Sequence, residues 1–213
     1  MSDAPALLPN RLVTGYETFL GGRFEDERQR FRTLAEEGQT PKIMIVGCCD
    51  SRVSPEVIFD ARPGEIFVVR NVANLVPPYA PDGDLHGTSA ALEFAVMGLR
   101  VEHIVVMGHA LCGGVAALLD GVPPQASDFV APWIGIASRA RDRVAAIEDP
   151  AARQQAAERE SVRLSIANLR GFPWIAEREA AGALLLTGAH FDIRSGILCL
   201  LEDDGEFAPV ATD

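Results

Sequence analysis

Four short apolar runs, each rich in aliphatic side chains and closed by glycine or a polar turn, constrain this chain most. They are Lys42–Gly47 (KIMIVG), Glu65–Arg70 (EIFVVR), Glu102–Met107 (EHIVVM) and Ala183–Thr187 (ALLLT). Runs of this kind, apolar on both faces, read as strands buried within a parallel sheet. Helical spacing fills the intervals. His86–Leu99 spaces its apolar residues as a helix, with Thr88 or Ser89 placed to cap its start. The stretch from Cys112 to Ala181 is mostly helical, broken at Gly121–Ser127, and Ser138–Arg170 reads as long amphipathic helices. Ile197–Leu201, followed by Glu-Asp-Asp-Gly, predicts an edge strand and a turn. Near the N-terminus, Leu12, Tyr16, Leu20, Phe24 and Phe31 recur at helical intervals. The pattern predicts an α/β fold: a mainly parallel central sheet of four strands plus an antiparallel edge strand, flanked by helices. It is one domain over residues 1–213, with a helical arm at 1–40 and the α/β core at 41–213.

Composition narrows the function classes. Hydrophobic residues make up 48% of the 213, enough for a sizeable core without disulfides. The formal net charge of −11 disfavours phosphate backbones, so no nucleic-acid partner is expected. No apolar run approaches the ~18 residues needed to span a bilayer, so no membrane partner is expected. Met1–Leu20 lacks the basic-then-apolar form of a signal peptide. Four cysteines do not make a secreted scaffold in a chain of this size, so they are expected as metal ligands or reactive thiols in a reducing, cytoplasmic setting.

Two segments carry the chemistry. Cys48-Cys49-Asp50-Ser51-Arg52 directly follows the first strand, and His109-Ala110-Leu111-Cys112-Gly113-Gly114 directly follows the third. In open α/β sheets ligands bind beyond the carboxyl ends of strands, where the strand order reverses. Thiol and imidazole ligands suit zinc. His109 and Cys112 stand three apart across a strand-to-helix turn, so both can face one ion, and Cys112 opens a helix whose dipole favours thiolate. Three protein ligands leave a fourth position open, as in catalytic rather than structural zinc sites. Each motif also has a plainer reading: a strand cysteine can be a small core hydrophobe, and Asp-Ser-Arg can be a surface ion pair in a turn.

Taken together, C-x-D-S-R at Cys48–Arg52, R-N-V-A-N at Arg70–Asn74 and H-x-x-C-G-G at His109–Gly114 resemble the β-class carbonic anhydrases. The similarity runs from about Gly38 through Gly114 and resumes at Leu184–Gly196. The resemblance implies one zinc per subunit, held by Cys48, His109 and Cys112, and reversible hydration of carbon dioxide to bicarbonate by zinc-bound hydroxide. It implies an Asp50–Arg52 dyad in which ionised Asp50 accepts the hydroxide proton and Arg52 keeps Asp50 ionised. Cys49 occupies a position where the family commonly has a small residue. Because neighbours on an extended strand point to opposite faces, Cys48 is expected as the ligand and Cys49 as a bystander.

By the same resemblance an apolar slot for carbon dioxide comes from Phe67, Val72 and Phe94, although Phe67 and Phe94 also fit ordinary core positions. Gln39, reaching in from a neighbouring subunit, and the Gly113 N–H are the expected polar contacts to substrate. A homodimer or a higher even-numbered homo-oligomer follows. Hydrolysis of carbonyl sulfide or carbon disulfide on the same scaffold is the nearest alternative; a non-catalytic zinc protein or a Cys48-Cys49 redox sensor is the alternative from another class. Surface or capping roles are expected for His86, His103 and His190, and simple burial for Cys199.

Overall fold

Parallel ladders continue further along the apolar runs than their composition suggests. In the computed structural model, which describes residues 7–211, the strands are β1 (Ile43–Cys48), β2 (Ile66–Asn71), β3 (His103–His109) and β4 (Leu185–Phe191). Each ends on residues that look like turn in the sequence, because ladder pairing holds them: Cys48 is paired with Asn71, and His109 with Phe191. Two antiparallel strands follow, β5 (Leu198–Leu201) and β6 (Phe207–Pro209), giving the order β2-β1-β3-β4-β5-β6. The mainly parallel α/β sheet is as expected. The three-residue β6 is an additional antiparallel strand, anchored by the buried ring of Phe207.

The chain divides between Gln39 and Thr40 into two compact units. The first carries α1 (Asn10–Gly21), α2 (Arg23–Asp26) and α3 (Arg28–Glu37). Its helices break at Gly22 and Glu27, so Phe24 and Phe31 fold back onto Phe19, with ring centroids 5.2–5.9 Å apart. Leu12, Tyr16 and Leu20 form an exposed stripe at i, i+4 and i+8.

In the second unit the connections are helical. A short α4 (Pro55–Ile58) lies between β1 and β2, and α5 (Gly87–Glu93) between β2 and β3. α5 starts earlier than its capping residues suggest, with His86 as N-cap and no side-chain cap; Thr88 Oγ1 instead lies 3.2 Å from the donating Asn71 Nδ2. It also stops at Glu93, where Phe94–Gly98 widens into a π turn. Between β3 and β4 come α6 (Gly113–Asp120), α7 (Val130–Gly135), α8 (Ser138–Arg143), α9 (Pro150–Leu169) and α10 (Pro173–Ala180). The run expected as long helices from Ser138 breaks before Asp149, which caps α9 by accepting the Ala152 N–H at 2.7 Å, with Pro150 at the first helical position.

Strand alternation sorts the core onto two faces. Met44, Val46, Ile104 and Val106 face the cluster of Leu92, Phe172 and Ile175, while Ile45, Met107 and Ala189 face the opposite way. α9 lies against β3 and β4 along a face of small residues, Ala157, Ser161 and Ser165. The approach is so close that a Cβ at Gly108 would stand 2.7 Å from Val162 Cγ2. Gly108→Ala should therefore push α9 off the sheet and destabilise the protein by roughly 1–3 kcal/mol. A thermal melt unchanged from the unaltered chain would show that α9 has slack at this point.

Candidate metal centre

The strand order reverses at β1: β2 is laid down on one side of it and β3 on the other. Cys48 ends β1 and His109 ends β3, so the two side chains meet in the crevice such a switch point creates. Between His109 and Cys112 the backbone reverses through Leu111, which takes a left-handed conformation (φ 57°), and Cys112 becomes the N-cap of α6. A leucine at positive φ is held against its own preference, at a cost of order 1–2 kcal/mol. The turn brings Cys112 Sγ back to 3.9 Å from Cys48 Sγ.

Cys48, His109 and Cys112 are all buried, and their ligand atoms lie within 4.8 Å of one another. Three observations bear on what they could hold. His109 Nδ1 is 2.9 Å from the Ala110 carbonyl, to which it donates, leaving Nε2 with the lone pair; Nε2 is buried with no hydrogen-bond partner among the described residues. The 3.9 Å between sulfurs is close to the ~3.8 Å separating two vertices of a tetrahedron with Zn–S bonds near ~2.3 Å. The sulfur pair is also electrostatically unbalanced. Hydrogen bonding from Cys112 helps lower the Cys48 thiol to about 4, while the thiolate of Cys48 pushes the Cys112 thiol up. A divalent cation would remove that conflict by letting both sulfurs ionise. The residues fit zinc.

Backbone donors surround the sulfurs. The amides of Asp50 and Ala73 are directed at Cys48, and those of Gly114 and Val115 at Cys112. Ala73 sits in a left-handed conformation (φ 65°) within the R-N-V-A-N turn. That turn is stapled by Asn71, which donates to the Leu75 carbonyl and accepts the Leu75 N–H, each at 2.8 Å. Gly114 is required where α6 meets the turn, since a Cβ there would stand 2.8 Å from Val72 Cγ1. Val72 is thus beside the H-x-x-C-G-G segment, and Trp133 Nε1 holds its carbonyl at 2.8 Å. Gly113 is exposed at the first turn of α6 with open space where a Cβ would be.

Asp50 and Arg52 pair as a fork. Arg52 Nε donates to Oδ1 at 2.9 Å, Nη2 to Oδ2 at 2.7 Å, and the Arg52 N–H to Oδ1 at 3.0 Å. The guanidinium holds the Asp50 carboxyl well below the usual carboxylate range. Arg52 Nη2 also donates to the Leu111 carbonyl at 3.2 Å, joining the two ligand loops. Asp50 stays outside the metal-ligating group. Cys49 is exposed and outside it as well, its N–H bound to the Asn71 carbonyl.

Two expected slot residues lie elsewhere on the chain. Phe67 is opposite Met44, four positions before Asn71, which pairs with Cys48. At ~3.3 Å per residue that is about 13 Å back along β2. Phe67 contacts Phe94 (centroids 5.8 Å apart), and Phe94 is 54% exposed. Gln39 is an exposed residue at the end of the first unit.

Three further residues brace the site: Arg70, from R-N-V-A-N, and Glu158 and His190, which carry little sequence signal. Arg70 clamps the Cys48–Asp50 segment, with Nε 2.8 Å from the Cys48 carbonyl and Nη2 2.7 Å from that of Asp50. Glu158 is buried on α9 and accepts the Cys112 N–H at 3.1 Å. His190, expected in a surface or capping role, is buried in β4 with Nε2 3.2 Å from Glu158 Oε2, because β4 extends past Thr187 to Phe191 between β3 and β5. The one clue is the acid itself, set among small residues at helical spacing (Ala157, Ser161, Ser165).

A family model described as carbonic anhydrase matches residues 43–198. The chain is 37% identical over 206 residues to beta carbonic anhydrase 3 of Arabidopsis thaliana, covering 93% of this chain and 79% of the relative. It is 36% identical over 174 residues to the chloroplastic beta carbonic anhydrase 5 of that plant, covering 80% and 57%. Among solved structures, the beta-carbonic anhydrase CcaA superposes with a TM-score of 0.87 at 29% identity, covering 95% of this chain and 92% of that one. A study of two tetrameric beta-carbonic anhydrases from Sordaria macrospora supplies another, with a TM-score of 0.79 at 30% identity and coverage of 95% and 98%.

Proposed function

The chain belongs to the β-class carbonic anhydrases, and from that membership we propose that it catalyses zinc-dependent, reversible hydration of carbon dioxide to bicarbonate and a proton. The observation that carries the reading is the buried Cys48–His109–Cys112 triangle, with the Nε2 of His109 free of any hydrogen-bond partner among the described residues. Bound zinc supplies Lewis acidity that makes water available as a nucleophile near neutral pH.

The chain's own residues do the rest. Cys48 and Cys112 as thiolates and His109 as neutral imidazole would hold the ion, and the four amides directed at the sulfurs would draw charge from them, offsetting the weaker acidity of a two-thiolate site. Asp50, kept ionised by Arg52, is an acceptor only, so it fixes the O–H of the attacking water and turns a lone pair toward substrate. Val72 lines the approach, and the Gly113 N–H is the donor for a substrate oxygen.

Phe67 stands about 13 Å along β2 from the Asn71–Cys48 pair, Phe94 contacts Phe67 and is about half exposed, and Gln39 is exposed. We assign all three to the slot of a second copy, which makes the active form a homodimer or a higher even-numbered homo-oligomer. The exposed Leu12, Tyr16 and Leu20 stripe supports association, and one solved relative is described as tetrameric. Mixing tests this. Cys48→Ser damages the metal end and Phe94→Asp the slot end, so the two inactive variants recombined should recover up to roughly a quarter of full activity in random dimers. No recovery despite exchange of subunits would return Phe94 to a purely structural role.

Among the described residues no helix is long and apolar enough to cross a membrane. All four cysteines are free, which suits the cytoplasm as the proposed compartment. The reading is tested by offering the zinc-loaded protein carbon dioxide, carbonyl sulfide and carbon disulfide in turn. Proton release from carbon dioxide far above the buffer rate is expected. Sulfide release with no hydration of carbon dioxide would overturn it in favour of a hydrolase on the same scaffold.

A further inference from the structure

A buried polar cluster from α9 meets the main chain of Cys112. Glu158 comes from α9 and is 2% exposed. Its Oε1 accepts two hydrogen bonds, from the Cys112 N–H at 3.1 Å and from Gln154 Nε2 at 2.8 Å. Gln154 Nε2 also lies 3.1 Å from the Cys112 carbonyl, to which it donates. Both polar groups of the Cys112 main chain are therefore held by one turn of α9. The second carboxylate oxygen, Oε2, is 3.2 Å from Nε2 of His190, itself 2% exposed. A buried carboxyl group is costly unless its oxygens are bonded, and here both are, so the cluster is fully connected rather than incidental.

The segment it holds needs holding. Leu111, immediately before Cys112, is at φ 57°, and such a residue persists only where its surroundings over-determine it. Released, the turn would relax and carry Cys112 Sγ away from Cys48. α9 can reach the segment because Gly108 and Gly188 let its small face close onto β3 and β4; a Cβ at Gly188 would stand 3.0 Å from Val162 Cγ1. We propose that Glu158, with Gln154 and His190, is a positioning residue for the metal: it locks the main chain of Cys112 so that its sulfur stays aimed at the ion. It never touches substrate.

The proposal rests on the zinc reading of Cys48, His109 and Cys112, and the experiment separates the two. Zinc affinity of the full chain is measured by competition with a chelator, alongside the thiolate-to-metal absorption of the cobalt-substituted protein. Removing an outer partner of a ligand typically costs ~10–100-fold in metal affinity, and Glu158→Ala is expected in that range, with a shifted cobalt band. Glu158→Gln keeps an oxygen for the Cys112 N–H and should recover most of the loss. Gln154 borders a cavity of about 370 Å³ between α9 and the Ala110–Leu111 turn, so Gln154→Ala leaves the core packing intact. It removes one arm of the lock and is expected to weaken zinc by a smaller factor. Unchanged zinc affinity and cobalt spectrum in Gln154→Ala and in folded Glu158→Ala would overturn the proposal, as would Glu158→Gln behaving no better than Glu158→Ala. If Glu158→Ala does not fold, Gln154→Ala decides alone. An unaltered chain that binds neither zinc nor cobalt through sulfur defeats the zinc reading itself, and the positioning role with it.

Discussion

Cys48→Ser should leave the protein folded but without zinc, and carbon dioxide hydration should fall to the uncatalysed rate. A serine hydroxyl stays protonated where a thiol ionises, so the site loses one of its two anionic ligands and the charge balance that favours a divalent ion. A loss of at least roughly a hundredfold in zinc affinity is expected. Cys49→Ser is the matched control. Cys49 is exposed and outside the ligand group, although it adjoins Cys48 in the chain, so that variant should keep its zinc and most of its activity. Metal content of the two purified variants checks this directly. Equal loss in both would mean that the ligand is assigned to the wrong sulfur.

The second large effect belongs to Asp50. In Asp50→Asn the side chain keeps its size but offers Arg52 a neutral amide in place of a two-oxygen acceptor, so the fork of 2.7 and 2.9 Å contacts cannot be remade. Zinc content should be unchanged, because Asp50 is not among the ligands. Turnover should fall by about 10²–10³-fold, the usual cost of removing one preorganised polar group at a reacting oxygen. Stopped-flow turnover measured on protein of known zinc content separates the outcomes. A rate within a few-fold of the unaltered enzyme would remove Asp50 from the chemistry and leave its pairing with Arg52 as a structural brace between the ligand loops.

Much of this site is legible in the sequence because its parts are local. C-x-D-S-R and H-x-x-C-G-G are contiguous, each follows a run of buried aliphatic residues, and the parallel order of such strands places their carboxyl ends together. The same locality separates Cys48 from Cys49, since alternation along a strand is a property of adjacent residues. What is not legible depends on long-range packing. Glu158 lies 46 residues beyond Cys112 in sequence, and only the contact of α9 with β3 and β4 brings it to the Cys112 amide. His190 reads as a surface or capping histidine because the apolar run preceding it stops at Thr187. Its burial comes from a ladder that continues for four more residues between neighbours on both sides. Phe67 shows a third limit: its type fits the proposed slot, but four ladder positions along β2 separate it from the Asn71–Cys48 pair, and residue type alone does not report that distance. β6 escapes the pattern for a simpler reason, since three residues are too few for alternation to register.

Carbon dioxide hydration by this chain is proposed to depend on one zinc held by Cys48, His109 and Cys112. The most direct test of that dependence is to titrate metal-free protein with zinc while following carbon dioxide hydration by stopped flow at alkaline pH. Activity should rise in proportion to added zinc and level off at one ion per chain. Hydration without zinc, or a fully loaded protein that releases protons no faster than buffer, would contradict it.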